Sequence, residues 1–138
     1  MKNDVDLIRG RLMASLLIVD DSASTRLILK TILGKFHKVY LATDGIEAIS
    51  TLNENPAIDL ILLDVYMPVL GGMDTIRHLK KNSPKILKDK KVIVMSAWSE
   101  EKLVKEARQL KADGWLCKPV QKEEVLKLVH TLIGRIQA

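Results

Sequence analysis

The stretch that decides the fold is Leu60-Ile61-Leu62-Leu63-Asp64-Val65-Tyr66-Met67-Pro68. Four aliphatic residues lead directly into one carboxylate, and a continuous apolar run of this kind predicts a strand that is buried on both faces. Pro68 has no N–H to donate to a neighbouring strand, so we expect the strand to end before it. Asp64 is therefore predicted at the carboxyl end of a buried strand, where ligands bind in open α/β sheets. Taken alone, an aspartate at such a place also fits a turn or capping role.

Four further apolar runs predict strands around Leu16–Val19, Val39–Leu41, Val92–Met95 and Trp115–Cys117. An amphipathic segment follows each of the five strands, so five helices are predicted. Their apolar stripes are Leu27, Ile28, Thr31 and Ile32; Ile46, Ile49 and Leu52; Met73, Ile76 and Leu79; Leu103, Val104, Ala107 and Leu110; and Val125, Leu128, Val129, Leu132, Ile133 and Ile136. Short apolar strands that alternate with helices predict an α/β fold, in which helices cover both faces of a doubly wound parallel sheet.

The composition fits one water-exposed domain. The chain has 138 residues, 28% of them charged, and a formal net charge of +5. It contains one cysteine, which excludes an internal disulfide and predicts a reducing, cytoplasmic setting. No apolar run approaches the ~20 residues that a membrane helix needs, so we expect no membrane association. Residues 1–13 are predicted to be an N-terminal extension, either a tail or a short helix, and residues 14–138 to be the domain. Met13 could be an alternative start.

Polar side chains follow four of the predicted strands. The first strand ends on Asp20 and Asp21, the third on Asp64, the fourth on Ser96 and the fifth on Lys118. Because parallel strands end at the same edge of a sheet, these side chains should converge there. Neighbouring carboxylates repel one another, and a hard dication such as Mg²⁺ or Mn²⁺ would relieve the repulsion. Such a site suits phosphoryl transfer to a carboxylate nucleophile, with the metal and the lysine neutralising the phosphoryl oxygens.

The chain resembles the receiver domains of two-component response regulators over residues 14–138. The resemblance is carried by Ile18-Val19-Asp20-Asp21-Ser22, by Leu62-Leu63-Asp64-Val65-Tyr66-Met67-Pro68 with Gly71-Gly72, by Met95-Ser96-Ala97 and by Lys118-Pro119. It implies a flavodoxin-like five-stranded parallel sheet of strand order 2-1-3-4-5 with five helices. This strand order is a known property of the family and does not follow from the residues alone. The resemblance implies, too, a cis Lys118-Pro119 bond.

By the same resemblance, Asp64 would be the phosphoacceptor of a histidine kinase or histidine phosphotransfer protein. Asp21 and Asp64 would bind the metal directly, Asp20 through water, and Tyr66 through its backbone carbonyl. Lys118 would contact the phosphoryl group, and Ser96 would reorient to bond it. The protein would turn over no separate substrate. It would catalyse only its own phosphorylation and dephosphorylation, and so switch a surface formed by the last two long helices and the fifth strand. That surface would bind an effector protein or a second copy.

One aromatic residue, Trp115, departs from the family's usual pattern, and two others, Tyr66 and Trp98, lie near the site. Trp115 stands where the family usually has Tyr or Phe, as a residue that swings inward with Ser96. A packing role on an edge strand is the alternative. Tyr66 and Trp98 each lie two residues beyond a site residue, where the resemblance places the path of the hydrolytic water. We expect the two rings to shield the phosphoryl group and lengthen its lifetime.

Other signals are weaker. Between Arg77 and Lys91 the chain carries seven basic residues and one acidic residue, Asp89. A solvated face explains this run, with an acidic partner as the alternative. Nucleic-acid binding is disfavoured, because no aromatic residues are interleaved with the charges.

His37, His78 and His130 are predicted to be ordinary surface or packing residues. Cys117 is predicted to be buried and inert.

Two other functions remain as alternatives. A receiver fold can serve as an interaction module that does not depend on phosphorylation, although the complete acidic set argues against this. An aspartyl-phosphate phosphatase of the haloacid dehalogenase type would need a second Asp two residues after its nucleophile. Ser22 and Tyr66 occupy those positions, so that signature fails. The end of the chain at Ala138 fits either a stand-alone regulator or a fragment of a longer one.

Overall fold

A computed structural model of the chain describes residues 13–97 and 100–137. Five parallel strands form one sheet in the order β2-β1-β3-β4-β5, as predicted. The elements in chain order are β1 (Ser15–Val19), α1 (Ala23–Leu33), β2 (Lys38–Ala42), α2 (Gly45–Glu54), β3 (Leu60–Asp64), α3 (Gly72–Asn82), α4 (Pro84–Leu87), β4 (Lys91–Ser96), α5 (Glu101–Gln109), β5 (Gly114–Cys117) and α6 (Lys122–Gln137).

The five long helices agree with the prediction, and the short α4 is additional. After α3, Pro84 begins a single further turn, because proline fits the first position of a helix, where its missing N–H is not needed. The predicted boundary after residue 13 stays a prediction, since residues 1–12 lie outside the described part of the chain.

Two apolar clusters lie on opposite faces of the sheet. Strand residues alternate between them, so Leu17 and Val19 contact one cluster while Leu16 and Ile18 contact the other. The first cluster is covered by α2, α3 and α5, and the second by α1 and α6. All five residues of β3 are buried, as expected for the central strand of a sheet that is covered on both sides.

Two helix stripes were predicted correctly only in part: Ile32, Ile49 and Leu52 pack against the core, but other members do not. In α1 the buried residues are Leu29 and Leu33, whereas Leu27 and Ile28 are exposed. In α2 the buried residues include Ala48 and Leu52, and Ile46 is exposed. Both helices carry apolar residues on more than one face, so the sequence offers several stripes of helical spacing. The face that packs is selected by the sheet beneath, which the local pattern does not encode.

The prediction for Cys117 was also wrong. Its side chain is exposed, while its neighbour Leu116 is buried. Because β5 pairs only with β4, it is an edge strand, and alternate side chains of an edge strand can reach solvent.

None of the helices within the described residues has the length and apolar character to span a bilayer.

A histidine pair joins the connection between α1 and β2 to α6. The Ala14 N–H donates to His37 Nδ1 at 3.1 Å, so Nδ1 carries no proton and Nε2–H is the donor of the neutral ring. His37 Nε2 lies 3.1 Å from His130 Nε2, which must then be the acceptor. Both rings are thus neutral in the folded protein. Both were predicted to be ordinary surface or packing residues, and their pairing was not predicted, because 93 residues separate them.

Acid should weaken the fold through this pair. Burial, and then the nearby charge of His130, lowers the pKa of His37 to about 4, and burial also lowers the pKa of His130. An unfolded histidine titrates near pH 6.5, so the unfolded chain takes up protons first as pH falls. The stability contributed by neutral His37 is therefore complete above about pH 6.5 and lost progressively towards about pH 4.

We expect the free energy of unfolding to fall by about 1–3 kcal/mol more between pH 7 and 4.5 in the wild type than in His37→Gln. Denaturant titration at several pH values measures the difference. His78→Gln is the matched control, because His78 is exposed and on another helix. Identical pH profiles for wild type and His37→Gln would contradict the role of the pair.

Candidate functional site

The strand register brings the predicted site residues together. Val19 of β1 pairs with Leu63 of β3, so the next residues, Asp20 and Asp64, lie side by side at the carboxyl edge. Ser96, the last residue of β4, pairs with Cys117, the last residue of β5, and Lys118 follows directly. The Lys118 N–H donates to the Ser96 carbonyl at 2.8 Å. The predicted convergence of these strand ends is therefore present in the fold.

Three carboxylates share this edge. Oxygens of Asp20, Asp21 and Asp64 all lie within 4.8 Å of one another. Asp20 and Asp64 are buried, at 0% and 4% exposure, whereas Asp21 is exposed. The cluster thus has a dry inner side and one carboxylate that faces solvent, so an ion or a phosphoryl group could enter past Asp21.

Lys118 joins two of the carboxylates. Its Nζ lies 2.6 Å from Asp20 Oδ2 and 3.1 Å from Asp64 Oδ1. Burial acts to lower the pKa of Lys118, but the hydrogen bond and charge of Asp20, followed by those of Asp64, outweigh it and raise the pKa above its usual value. The ammonium group therefore stays charged at neutral pH, as an electrostatic role at this edge requires.

Asp64 has an unusual acidity. Burial and then the charge of Asp20 raise its pKa to about 6, although Lys118 acts in the opposite direction. One lysine thus offsets only part of the repulsion among three carboxylates. The remaining repulsion is relieved by a proton at low pH or by a cation at neutral pH. This electrostatic imbalance is the property of the site that points to a ligand.

Local structure fixes Asp20 at the start of α1. Its Oδ1 accepts a hydrogen bond from the Ser22 N–H at 2.9 Å, and Ser22 in turn caps the helix by accepting from the Thr25 N–H. Arg26 Nη1 donates to the Asp20 carbonyl at 2.7 Å. The sequence reasoning missed Arg26. Its position in the first turn after a capping serine was the available signal.

Glycine brings α3 close to Asp64. A Cβ on Gly72 would overlap the carbonyl oxygen of Asp64, so only glycine allows the helix to begin this near the strand end. The Gly72 N–H donates to the Val65 carbonyl at 2.9 Å, which closes the loop between β3 and α3. In this loop Val69 is 82% exposed with a φ of 68°, a strained conformation for a β-branched residue.

The remaining predicted residues are placed as follows. Ser96 is buried at the end of β4, and the Lys118-Pro119 bond is cis, as predicted. The Tyr66 side chain is 57% exposed, and its carbonyl accepts no hydrogen bond from the described residues. Trp98 lies outside the described residues.

Trp115 packs partly buried against the cluster under α5. Its indole Nε1 is buried and finds no hydrogen-bond acceptor among residues 13–97 and 100–137. The ring lines a cavity of about 220 Å³ together with Val104, Ala107 and Arg108. The contacts fit the packing role, and the cavity gives the ring room to move, so both interpretations of Trp115 remain open.

The comparisons with known proteins agree with this geometry. The sequence model described as "Response regulator receiver domain" matches residues 16–130. The chemotaxis protein CheY of Thermotoga maritima is 34% identical over 116 residues, which cover 83% of this chain and 92% of that protein. CheY of Bacillus subtilis is 32% identical over 121 residues, covering 86% and 97%.

Solved structures show the same similarity. Vibrio cholerae CheY4 has a TM-score of 0.80 at 29% identity and covers 87% of this chain and 98% of its own. CheY in a CheX–CheY–BeF3–Mg²⁺ complex from Borrelia burgdorferi has a TM-score of 0.77 at 30% identity, covering 86% and 88%. The family model matches residues 16–130 of this chain, and the two CheY relatives are 34% and 32% identical to it. The chain therefore belongs to the response regulator receiver domain family.

Proposed function

We propose that the protein is a phosphoacceptor receiver in two-component signal transduction and that Asp64 takes the phosphoryl group. The observation that carries this proposal is Lys118, whose Nζ lies 3.1 Å from Asp64 Oδ1 within a cluster of three carboxylates. A buried carboxylate whose neighbours supply both a cation and further oxygen ligands is suited to bind a dianionic group. The donor would be a phosphohistidine of a histidine kinase or a histidine phosphotransfer protein.

The step moves one phosphoryl group. An oxygen of ionised Asp64 attacks phosphorus, the new O–P bond forms, and the N–P bond of the donor histidine breaks. The electron pair of that bond returns to the imidazole, which then takes up a proton. Lys118 stabilises the negative charge on the phosphoryl oxygens, and this electrostatic contribution is usually the main protein contribution to phosphoryl transfer.

The carboxylate cluster also supports a magnesium or manganese site. Its donors are all oxygens, which these ions prefer. We assign Asp21 and Asp64 as direct ligands, Asp20 as a ligand through water, and the Tyr66 carbonyl as a further ligand, since none of the described residues donates to it. When bound, the ion neutralises phosphoryl oxygens. The Borrelia complex, which contains Mg²⁺, supports magnesium as the ion.

Phosphorylation at Asp64 would bias two states of the domain. Ser96 is one strand away from Asp64 and would bond the phosphoryl group. Trp115, on β5 beside the cavity at α5, would move with it. The surface of α5, β5 and α6 would then bind an effector protein or a second copy of the chain. The CheX–CheY complex supports a protein as the partner.

The other expectations carry over as parts of this proposal. The protein turns over no separate substrate, lies in the cytoplasm and binds neither membrane nor nucleic acid. Residues 14–138 form the receiver domain, after an extension at 1–13. Two alternatives stay open to test: an interaction module that does not need phosphorylation, and, with less support, an aspartyl-phosphate phosphatase.

Acetyl phosphate with Mg²⁺ should add one phosphoryl group to the protein, because Asp64 can displace acetate as it displaces histidine. Intact mass spectrometry measures the adduct, which should be absent in Asp64→Asn and reduced at least about tenfold in rate in Lys118→Met. Asp44→Asn is the matched control, because Asp44 caps α2 outside the carboxylate cluster. A wild type without adduct would favour the interaction module, and turnover of a generic phosphomonoester would favour the phosphatase.

Without a divalent cation, Asp64→Asn should be more stable than the wild type. The raised pKa of Asp64, about 6, means that its charged form costs stability in the fold. That cost is absent below about pH 4 and grows as pH rises through about 6, so the variant should gain about 1–2 kcal/mol at pH 7.5 and little at pH 4.

Denaturant titration in EDTA measures this gain. Mg²⁺ at ten times its Kd should stabilise the wild type by about 1.4 kcal/mol and should not stabilise Asp64→Asn. The difference in stability between the two proteins should therefore become smaller. Asp21→Asn should lose most of the response to Mg²⁺. If Mg²⁺ does not stabilise the wild type, the metal assignment is wrong. If Asp64→Asn is less stable than the wild type in EDTA, repulsion among the three carboxylates does not destabilise the fold.

The phosphoryl group should be long-lived if Tyr66 and Trp98 shield it from water. The double variant Tyr66→Asn, Trp98→Glu should dephosphorylate faster than the wild type, as measured by loss of the mass adduct after removal of acetyl phosphate. Tyr66→Phe keeps the ring and is the control that should retain the wild-type lifetime. Equal lifetimes for the wild type and the double variant would exclude shielding.

A further inference from the structure

A groove opens between the C-terminal ends of α3 and α5, at the edge of the sheet opposite Asp64. Helix α3 begins at Gly72 beside Asp64 and ends at Asn82, and β4 begins nearby at Lys91. The groove has a volume of about 200 Å³. It includes part of the basic run between Arg77 and Lys91, and the proposed phosphoacceptor role does not use it. We call it the basic groove.

The floor of the basic groove is apolar. It is formed by Ile76 and Val92, which are buried, and by Leu87 and Leu110, which are half-buried. Leu87 and Leu110 therefore present unfilled apolar surface to solvent in a concave setting. A pocket of this size can take an aliphatic side chain of a partner, and burial of that side chain would contribute to affinity.

The rim of the basic groove is positive. Lys80 and Lys111 are exposed, and neither side chain makes an ion pair or hydrogen bond with any described residue. The other charged residues at the groove are engaged: Lys90 Nζ donates to the Pro56 carbonyl at 2.6 Å, and Asp113 accepts from the Val92 N–H at 2.8 Å. The two lysines at the rim are thus available to an anionic group.

Lys111 has an unfavourable backbone. Its φ is 61°, in the left-handed region just after α5, where glycine is the least costly residue. A lysine at this position puts a charge at the groove at some expense of stability. The conformation alone identifies no ligand, but it provides a variant, Lys111→Gly, that removes the charge without weakening the fold.

We propose that the basic groove docks an acidic segment of a partner protein that carries one aliphatic anchor residue. Carboxylates of the segment would contact Lys80 and Lys111, and the anchor would fill the floor. A concave floor does not insert into a bilayer, and among the residues that the structure describes no aromatic side chain lines the groove for base stacking. This docking site is separate from the phosphoacceptor site and does not depend on it.

The probe for the test is a synthetic peptide of six glutamates around one central leucine, titrated into ¹⁵N-labelled protein. Changes in amide chemical shift should concentrate at residues 76–92 and 110–113. The double variant Lys80→Glu, Lys111→Glu should raise the Kd for the peptide at least about tenfold. Lys111→Gly should weaken binding while raising the denaturation midpoint, so lost binding cannot be ascribed to unfolding. Replacement of the leucine by serine should also weaken binding.

The matched control is Lys30→Glu with Lys127→Glu, which changes the net charge equally through exposed residues on the opposite face. It should leave the Kd unchanged. Equal weakening by both pairs, shifts spread over the surface, or equal binding of the serine peptide would overturn the proposal in favour of general charge attraction. Tighter binding of duplex DNA or phosphatidylserine vesicles at the same amides would overturn it in favour of those partners.

Discussion

The ion pairs of Lys118 with Asp20 and Asp64 are the interaction on which the site depends. They join the end of β5 to the ends of β1 and β3 across the sheet edge, at 2.6 and 3.1 Å. Removal of the lysine would leave two buried carboxylates without the ammonium group that pairs with both, a costly arrangement. The pairs therefore permit two acids to be buried at the sheet edge. Under the proposed function, the same ammonium group would also contact the phosphoryl group on Asp64.

Other parts of the structure serve to keep this arrangement accurate. The parallel register sets Asp20 beside Asp64, Ser22 and Arg26 hold the Asp20 backbone and side chain, and Gly72 lets α3 close over the strand end. Each of these contacts is made by the backbone or by a residue close in sequence to the site. The positions of the charges are thus set by rigid elements, as accurate electrostatic sites require.

Much of this could be predicted from the sequence, for identifiable reasons. Runs such as Leu60–Leu63 specify buried strands, and once the strands are parallel, the residues that follow them must meet. The sequence did not determine which side of α1 is buried, because Leu27 and Leu29 lie on different faces and are both apolar. Nor did it reveal that His37 contacts His130, because that depends on which helices become neighbours. The exposure of Cys117 was missed because the short run Trp115–Cys117 has no polar alternation that would show which side chains face solvent.

The parallel sheet also determines where this chain can change length. Asp64 is placed by its count from the start of β3, and each added residue in a strand turns the following side chains to the opposite face. The number of residues between Ser83 and Lys90 does not set the position of Asp64, since this segment connects α3 to β4 far from the acidic edge. A change of length in that connection would therefore leave the acidic edge in register and alter only the basic groove, to which Leu87 and Lys90 belong. Strands β1, β3 and β4, which lead to Asp20, Asp64 and Ser96, must keep their lengths.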